Sequence, residues 1–284
     1  MKITGKTQQL AVIGYPADHS FSPEMHNYIA ECMNMDYTYS AFTVSPKNLG
    51  DAIRGMRAMG FRGMNVTAPH KIEVIKYLDE ISPEAKLLGS VNTVVNKNGI
   101  LTGYNTDSEG FYLSLRNAGV KIEDADILVM GCGGVVIPAL AGVIKYNPKS
   151  ITLLNRTKAK AEKLANDILN ITGYKVETNT KTEKFDIIIN TTSAGMGDQK
   201  DVLPWDSITE LSGVDFITEK SVAVDMIYNP PKTKFLKLAE SKGAKTINGL
   251  DMLIYQGLLA YELFTDTKLP DNMAEILRKE VFGI

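Results

Sequence analysis

The segment Asn65-Val66-Thr67-Ala68-Pro69-His70-Lys71 carries a carboxamide, a hydroxyl, an imidazole and an ammonium within seven positions. Pro69 fixes its own φ and pushes Ala68 out of the helical region, so the backbone runs extended through Thr67 and then turns. A strand end that feeds polar side chains into a turn often builds an active site in α/β proteins. The plain alternative is an ordinary strand, turn and helix with a solvated lysine. Upstream, Ser20-Phe21-Ser22-Pro23-Glu24 reads as a helix start, with Ser22 at the cap, Pro23 first in the helix and an acid in the first turn. Capping accounts for Ser22 and leaves Ser20 over; two hydroxyls beside a helix N-terminus could instead receive a carboxylate. Asn92, inside the apolar run 91–95, must find partners or cost about 1–3 kcal/mol. It is either a satisfied structural amide or aimed at a ligand. Asp107, in Asn105-Thr106-Asp107, reads by itself as an N-cap.

The second half offers a different chemistry. Gly131-Cys132-Gly133-Gly134 follows the apolar run 125–130 and precedes an apolar segment that reads as helix. A glycine-rich strand-to-helix turn lets backbone N–H groups approach a pyrophosphate. The next strand, 150–154, ends in Asn155-Arg156-Thr157, where the dinucleotide fold carries an acid for the ribose of NAD or an arginine for the 2′-phosphate of NADP. Arg156, with Lys158 and Lys160 beside it, favours NADP. The small-residue loop 191–197 leaves the strand 186–190 and would also let backbone approach a ligand.

The elements that must position these groups follow from the apolar pattern. Strands at 10–14, 37–44 and 61–66, separated by helices at 22–35 and 46–59, form a β-α-β-α-β alternation, which requires right-handed crossovers and a largely parallel sheet. Short helices at 70–78 and 83–88 lead to a strand at 89–95. Asn98-Gly99 turns the chain into a returning strand that ends near Tyr104. A helix at 108–118 opens a second alternation, with strands at 125–130, 150–154, 174–178, 186–190, 222–226 and 244–247. Helices at 250–264, with Leu253, Gln256 and Ala260 in line, and at 271–280 close the chain. Trp205 is expected to pack over a domain edge.

With 284 residues, 44% hydrophobic and 23% charged, the chain suits two domains with sizeable cores. A net charge of -2 and a pI near 6.0 give no footprint for nucleic acid or a membrane surface, so any anion must be held by local groups. Cys32 and Cys132 indicate neither a disulfide framework nor a zinc site and fit a reducing cytoplasm. Residues 1–9 lack the apolar core of a secretory signal, and no apolar run reaches the ~18 residues of a spanning helix. His19, His26 and His70 lack metal spacing, so a structural role, or one supporting residues that touch a ligand, is expected for each and no metal is expected.

Taken in order, Ser20 to Pro23, Asn65 to Lys71, Val91-Asn92-Thr93, Asn105-Thr106-Asp107, the Gly131 loop, Asn155-Arg156-Thr157, Tyr228-Asn229-Pro230 and the segment from Asn248-Gly249-Leu250 to Gln256 resemble the shikimate dehydrogenase family over essentially the whole chain. The resemblance implies an α/β protein: a mixed, largely parallel-sheet substrate domain (1–105, joined by C-terminal helices from about 250–284) and a Rossmann-type NADP-binding domain (106–249). It implies NADPH-dependent reduction of 3-dehydroshikimate to shikimate, in the pathway to the aromatic amino acids, by a cytoplasmic monomer or homodimer. By motif, Lys71 and Asp107 would be the catalytic pair: a hydride reaching a ketone carbon leaves an alkoxide, which needs a proton donor and positive charge. Ser20 and Ser22, with Tyr228 beside them, would hold the substrate carboxylate; Thr67, Asn92 and Gln256 would hold ring hydroxyls. Gly131, Gly133, Gly134 and Val135 would line the pyrophosphate, Asn155, Arg156 and Thr157 the 2′-phosphate, with Met226 and Gly249 also along the cofactor.

The family's glycine loop usually reads Gly-Ala-Gly-Gly-Ala-Ala-Arg, whereas here Val135, Val136 and Pro138 follow the glycines. Either the helix starts later or its first turn is kinked. His70 stands where the family often has a bulkier apolar residue and could hydrogen-bond near the substrate. The alternatives are an enzyme of the same fold with quinate or NAD, and a cofactor-binding regulator without chemistry. Lys71 and Asp107 speak against the regulator, and the Ser-x-Ser and Asn-Thr-Asp motifs against a folate-linked dehydrogenase.

Overall fold

The computed structural model describes residues 3–179, 184–211 and 213–284. The chain forms two compact units, Met1–Thr106 with Ile254–Ile284, and Asp107–Leu253.

In the first unit β1 (Gln8–Gly14), α1 (Ser22–Cys32), β2 (Tyr37–Thr43), α2 (Leu49–Ala58) and β3 (Gly63–Val66) alternate as the apolar pattern predicts. β4 (Glu80–Ile81), α3 (Pro83–Leu88), β5 (Thr93–Lys97) and β6 (Ile100–Tyr104) complete a six-stranded mixed sheet of order β2-β1-β3-β5-β6-β4. β1 is parallel to β2 and β3, whereas β5 runs antiparallel to β3 and β6. Asn98 and Gly99 both have positive φ (56° and 87°), as a two-residue hairpin turn requires. Side chains alternate across a strand, and register partners share a face. Ala11, Ile13, Met64, Val66 and Val94 therefore point together into a core with Leu49, Ile53 and Met56 of α2. Leu10, Val12, Tyr39, Asn65 and Thr93 share the other face.

Three local expectations change here. Ser22 is the first residue of α1 with no side-chain cap on that helix, so capping does not explain it. The helix expected over 70–78 is a turn followed by a short 3-10 helix, Glu73–Tyr77, whose start at Glu73 comes well after Pro69. Asn92 lies just ahead of β5 rather than within it.

The second unit runs α4 (Asp107–Asn117), β7 (Asp126–Met130), α5 (Val136–Ile144), β8 (Ser150–Leu154), α6 (Lys158–Thr172), β9 (Ile187–Asn190), β10 (Val222–Asp225), α7 (Lys234–Ser241) and β11 (Lys245–Ile247). Its five strands are all parallel, in the order β11-β10-β9-β7-β8. The strand expected at 174–178 is reduced to one parallel bridge between Glu177 and Thr152, outside β8. With that bridge counted, the order is that of the dinucleotide-binding fold. Both faces are covered, so the strands read as continuous apolar runs: Ile127, Val129, Ile151 and Ile189 pack with α4 and α5, and Leu128, Met130 and Ile188 with Phe235. Trp205, half-buried, packs against this second cluster and meets Phe216 and Phe235 edge-on (4.9 and 5.7 Å between centroids).

The chain rejoins the first unit at Ile254, within α8 (Leu250–Thr265), and ends with α9 (Met273–Glu280). α8 lies on the Tyr39 face of the first sheet. A Cβ at Gly63 would collide with the ring of Phe264, so only glycine lets helix and strand approach. His26 of α1 stacks on Tyr39 (4.2 Å, 5° between planes) and on Tyr261 of α8 (5.7 Å).

Candidate active site

Asn92 is the hub of the first unit's polar residues. Its backbone joins two strands: its N–H donates to Tyr104 and its carbonyl accepts from Val66. Its side chain is buried, with 3% exposure. Oδ1 accepts from the Thr106 N–H (2.9 Å), and Nδ2 donates to Thr106 Oγ1 (2.9 Å) and Gln256 Oε1 (3.4 Å). Asp107 follows directly on Thr106, buried and first in α4. On the other side, the Val91 N–H donates to the Lys71 carbonyl at 2.8 Å, tying the turn that carries half-buried Lys71 to the residue before Asn92. Asn105 Nδ2 donates to the Ser90 carbonyl, bracing the same crossing. Thr67 donates its N–H to Ile13, and its methyl fills the space a side chain at Gly14 would take.

Ser20 accepts from the Ser22 N–H at 3.3 Å, and Ser22 is buried. Gln256 and Asn92 are thus in contact, and Ser20 and Ser22 form a second local group. Tyr228 belongs to the second unit, where burial pushes its phenol up. His70 holds a structural contact: its buried Nε2 lies 2.7 Å from the Val44 carbonyl. A carbonyl only accepts, so that nitrogen carries the proton and His70 pins the turn to the end of β2.

In the second unit a cavity of about 310 Å³ is lined by Gly131, Gly133, Asn155, Arg156 and Thr157, together with Cys132, Lys160 and Thr191 to Ser193. It sits at the C-terminal ends of β7, β8 and β9, where open parallel sheets bind their ligands. A cavity of about 350 Å³ near Lys121, Asp186 and Lys220 lies at the opposite ends of the strands and has no glycine-rich turn. Gly131 has φ +109°, and a Cβ there would lie 2.6 Å from Thr191 Oγ1; Gly134 faces open space. Among the described residues the N–H groups of Cys132, Gly133, Gly134 and Val135 donate to no protein acceptor. Free N–H groups ahead of a helix are an anion site. Arg156 and Lys160 are exposed cations without an ion-pair partner among the described residues, which suits a phosphate monoester. The residues present therefore fit NADP.

Pro138 does not disturb that start. α5 begins at Val136, so Pro138 is third in the helix, where an N–H has no helical acceptor to lose. The helix starts late and buries Val136 in the core. Gly134 and Val135 do not line the cavity. Met226 and Gly249 also lie off it, adjacent to each other: a Cβ at Gly249 would strike the Met226 carbonyl. Thr191 to Ser193 were visible only as a small-residue loop, and Cys132 only as an irregularity in the glycine run. Burial raises the Cys132 thiol, with Lys160 opposing. Among the described residues no His, Cys, Asp and Glu cluster is placed to hold a metal, and no helix is long and apolar enough to cross a membrane.

A parallel sheet with an anion-binding glycine turn and an unpaired arginine beside it, in a chain with a separate mixed α/β unit rich in buried amides and hydroxyls, defines an NADP-type two-domain dehydrogenase. Residues 12–94 match the family model of the shikimate dehydrogenase substrate binding domain, 113–203 that of shikimate / quinate 5-dehydrogenase, and 249–281 that of the shikimate 5'-dehydrogenase C-terminal domain. The NADP(+) shikimate dehydrogenase of Methanococcus aeolicus is 44% identical over 274 residues, covering 95% of each chain. A crystal structure of shikimate dehydrogenase in complex with NADP+ superposes with TM-score 0.87 at 39% identity, over 97% of this chain and 96% of that one. The Listeria monocytogenes shikimate 5-dehydrogenase, solved with shikimate and NAD, gives 0.84 at 36% identity over 98% of each. The chain belongs to the shikimate dehydrogenase family.

Proposed function

We propose that this chain reduces 3-dehydroshikimate to shikimate with NADPH, on the route to the aromatic amino acids, in a reducing cytoplasm where Cys32 and Cys132 remain thiols. The first unit takes the substrate and the second the cofactor. The observation that carries the reading is the Asn92 hub, whose buried amide meets Thr106 and Gln256 and whose backbone surroundings lead within one residue to Lys71 and to Asp107.

Bound NADPH supplies the hydride to the ketone carbon. The Lys71 ammonium stabilises the charge that develops on the carbonyl oxygen and gives that oxygen its proton, so ketone, hydride and proton sum to the alcohol. Asp107 orients the ammonium and the substrate hydroxyl. Ser20 and Ser22, with Tyr228, receive the carboxylate, and Thr67, Asn92 and Gln256 the ring hydroxyls. At the cofactor, the turn through Gly131, Gly133, Gly134 and Val135 would offer its free N–H groups to the pyrophosphate, and Asn155, Arg156 and Thr157 would hold the 2′-phosphate; Met226 and Gly249, off the cavity, would meet the part of the cofactor that extends beyond it. Lys71→Ala should lower kcat by about 10²-fold or more, the usual worth of a positioned proton donor, while the melting temperature stays near wild type. A kcat within a fewfold of wild type would remove Lys71 from that role.

A further inference from the structure

Behind Asn92 the first sheet holds a continuous line of buried polar side chains on its α1/α8 face. Tyr39, Asn65, Thr93 and Asn92 are between 0% and 7% exposed, and register places Tyr39 on β2, Asn65 on β3 and Thr93 on β5 facing the same way. The Tyr39 hydroxyl donates to Asn65 Oδ1 at 2.7 Å. Asn65 Nδ2 donates to Thr93 Oγ1 at 3.1 Å and to the Asn92 carbonyl at 3.2 Å. The Thr93 hydroxyl donates to Asn92 Oδ1 at 2.9 Å. At the other end, burial pushes the Tyr39 phenol up, and the nearby Ser22 side chain opposes that rise. Asn27 holds the Tyr39 backbone to α1 from both sides, accepting from its N–H (2.8 Å) and donating to its carbonyl (2.9 Å).

The sense of this chain is determined residue by residue. A phenol has one proton, and Tyr39 gives it to Asn65; burial raises the phenol well above its ordinary range, so that proton stays. Asn65 must then turn its oxygen to Tyr39 and its nitrogen to Thr93. Thr93, already accepting from Asn65, can send its own proton only to an acceptor, which is Asn92 Oδ1. The Asn92 nitrogen is thereby turned toward Thr106 and Gln256. Reversing the Asn92 amide would set its NH₂ against two donors, the Thr93 hydroxyl and the Thr106 N–H.

We propose that Tyr39, Asn65 and Thr93 are positioning residues for substrate recognition: they lock the Asn92 carboxamide with its oxygen toward Thr93 and the Thr106 N–H and its nitrogen toward Gln256, so that a ring hydroxyl taking the place of the long Gln256 contact meets an N–H donor. The inference rests on the reading of Asn92 as a substrate contact. It assigns no chemistry to the chain itself, so its signature is in shikimate KM rather than in kcat or in NADP.

The test compares Thr93→Val, Thr93→Ser and Tyr39→Phe in steady-state oxidation of shikimate by NADP, alone and in an Asn92→Ala background. Thr93→Val and Tyr39→Phe should each raise shikimate KM by about tenfold, the effect of one buried hydrogen bond, with kcat and NADP KM within about twofold. Thr93→Ser, which keeps the hydroxyl, should restore the wild-type KM. With Asn92→Ala present, Thr93→Val should add nothing further. Equal increments with and without Asn92, or changes in NADP KM matching those for shikimate, would show a packing role only and overturn the proposal. An unchanged KM in Tyr39→Phe, while Asn92→Ala raises it, would also overturn it, even if Thr93→Val failed to fold. An unchanged KM in Asn92→Ala would instead sink the reading of Asn92 itself, and the inference with it.

Discussion

His26 is the residue whose burial most directly sets a solution property. Both ring nitrogens are buried without a hydrogen-bond partner among the described residues, and the ring lies against Tyr39, Tyr261 and Phe264. Burial lowers its pKa from 6.5 to about 3, so the folded chain keeps the ring neutral. The unfolded chain takes up a proton below 6.5, and the folded one does so only near 3. Stability from this residue is therefore complete above pH 6.5 and lost progressively as pH falls toward 3. At pH 5 the loss amounts to about 2 kcal/mol relative to neutral pH. His26→Phe keeps an aromatic ring in the stack and removes the titration. Urea unfolding at pH 7 and pH 5 should show the variant losing about 2 kcal/mol less than wild type. Identical pH dependence in the two proteins would mean that the ring is not held neutral.

At the scale of elements, α4 and α5 approach so closely that a Cβ on Gly142 would strike the Ser108 carbonyl. Gly142→Ala must push the helices apart and should destabilise the chain by about 1–3 kcal/mol in thermal melting. Gly133→Ala meets only the Thr191 carbonyl, at an ordinary contact distance of 3.7 Å, so the melt should be unchanged while NADP KM rises, because the new methyl enters the cavity that Gly133 lines. A normal melt for Gly142→Ala would contradict the close packing.

These contrasts also mark what the chain's sequence makes legible. The apolar runs, the Asn98-Gly99 turn and the glycine-rich turn carry their physics locally, and the strands, the hairpin and a cavity beside the glycine turn appear where those signals lie. The strand expected near 174–178 shrinks to one bridge, because an edge position gains hydrogen bonds on one side only. Ser22 carries every local sign of a cap, yet it makes no side-chain cap on α1 and its side chain instead bears on the buried Tyr39 phenol of the next element. Tyr39, Asn65 and Thr93 meet only through the register of β2, β1, β3 and β5, a long-range property that no short motif encodes. Thr106, spelled out in the Asn-Thr-Asp motif, acquires a role only when its N–H is seen to fix Asn92.

At the scale of the molecule, the proposed reaction draws on residues of both units. The first holds the Asn92 hub, Lys71 and the two serines; the second opens with Asp107 and holds the glycine turn and Arg156. A net charge of -2 leaves cofactor selection to these local cations rather than to a general field. The most direct measurement is a matrix of initial rates for the wild-type chain, shikimate and quinate each with NADP and with NAD. Shikimate with NADP should give a kcat/KM well above the other three pairs, since Arg156 and Lys160 need a 2′-phosphate to pair with. A clear preference for quinate with NAD would contradict the account.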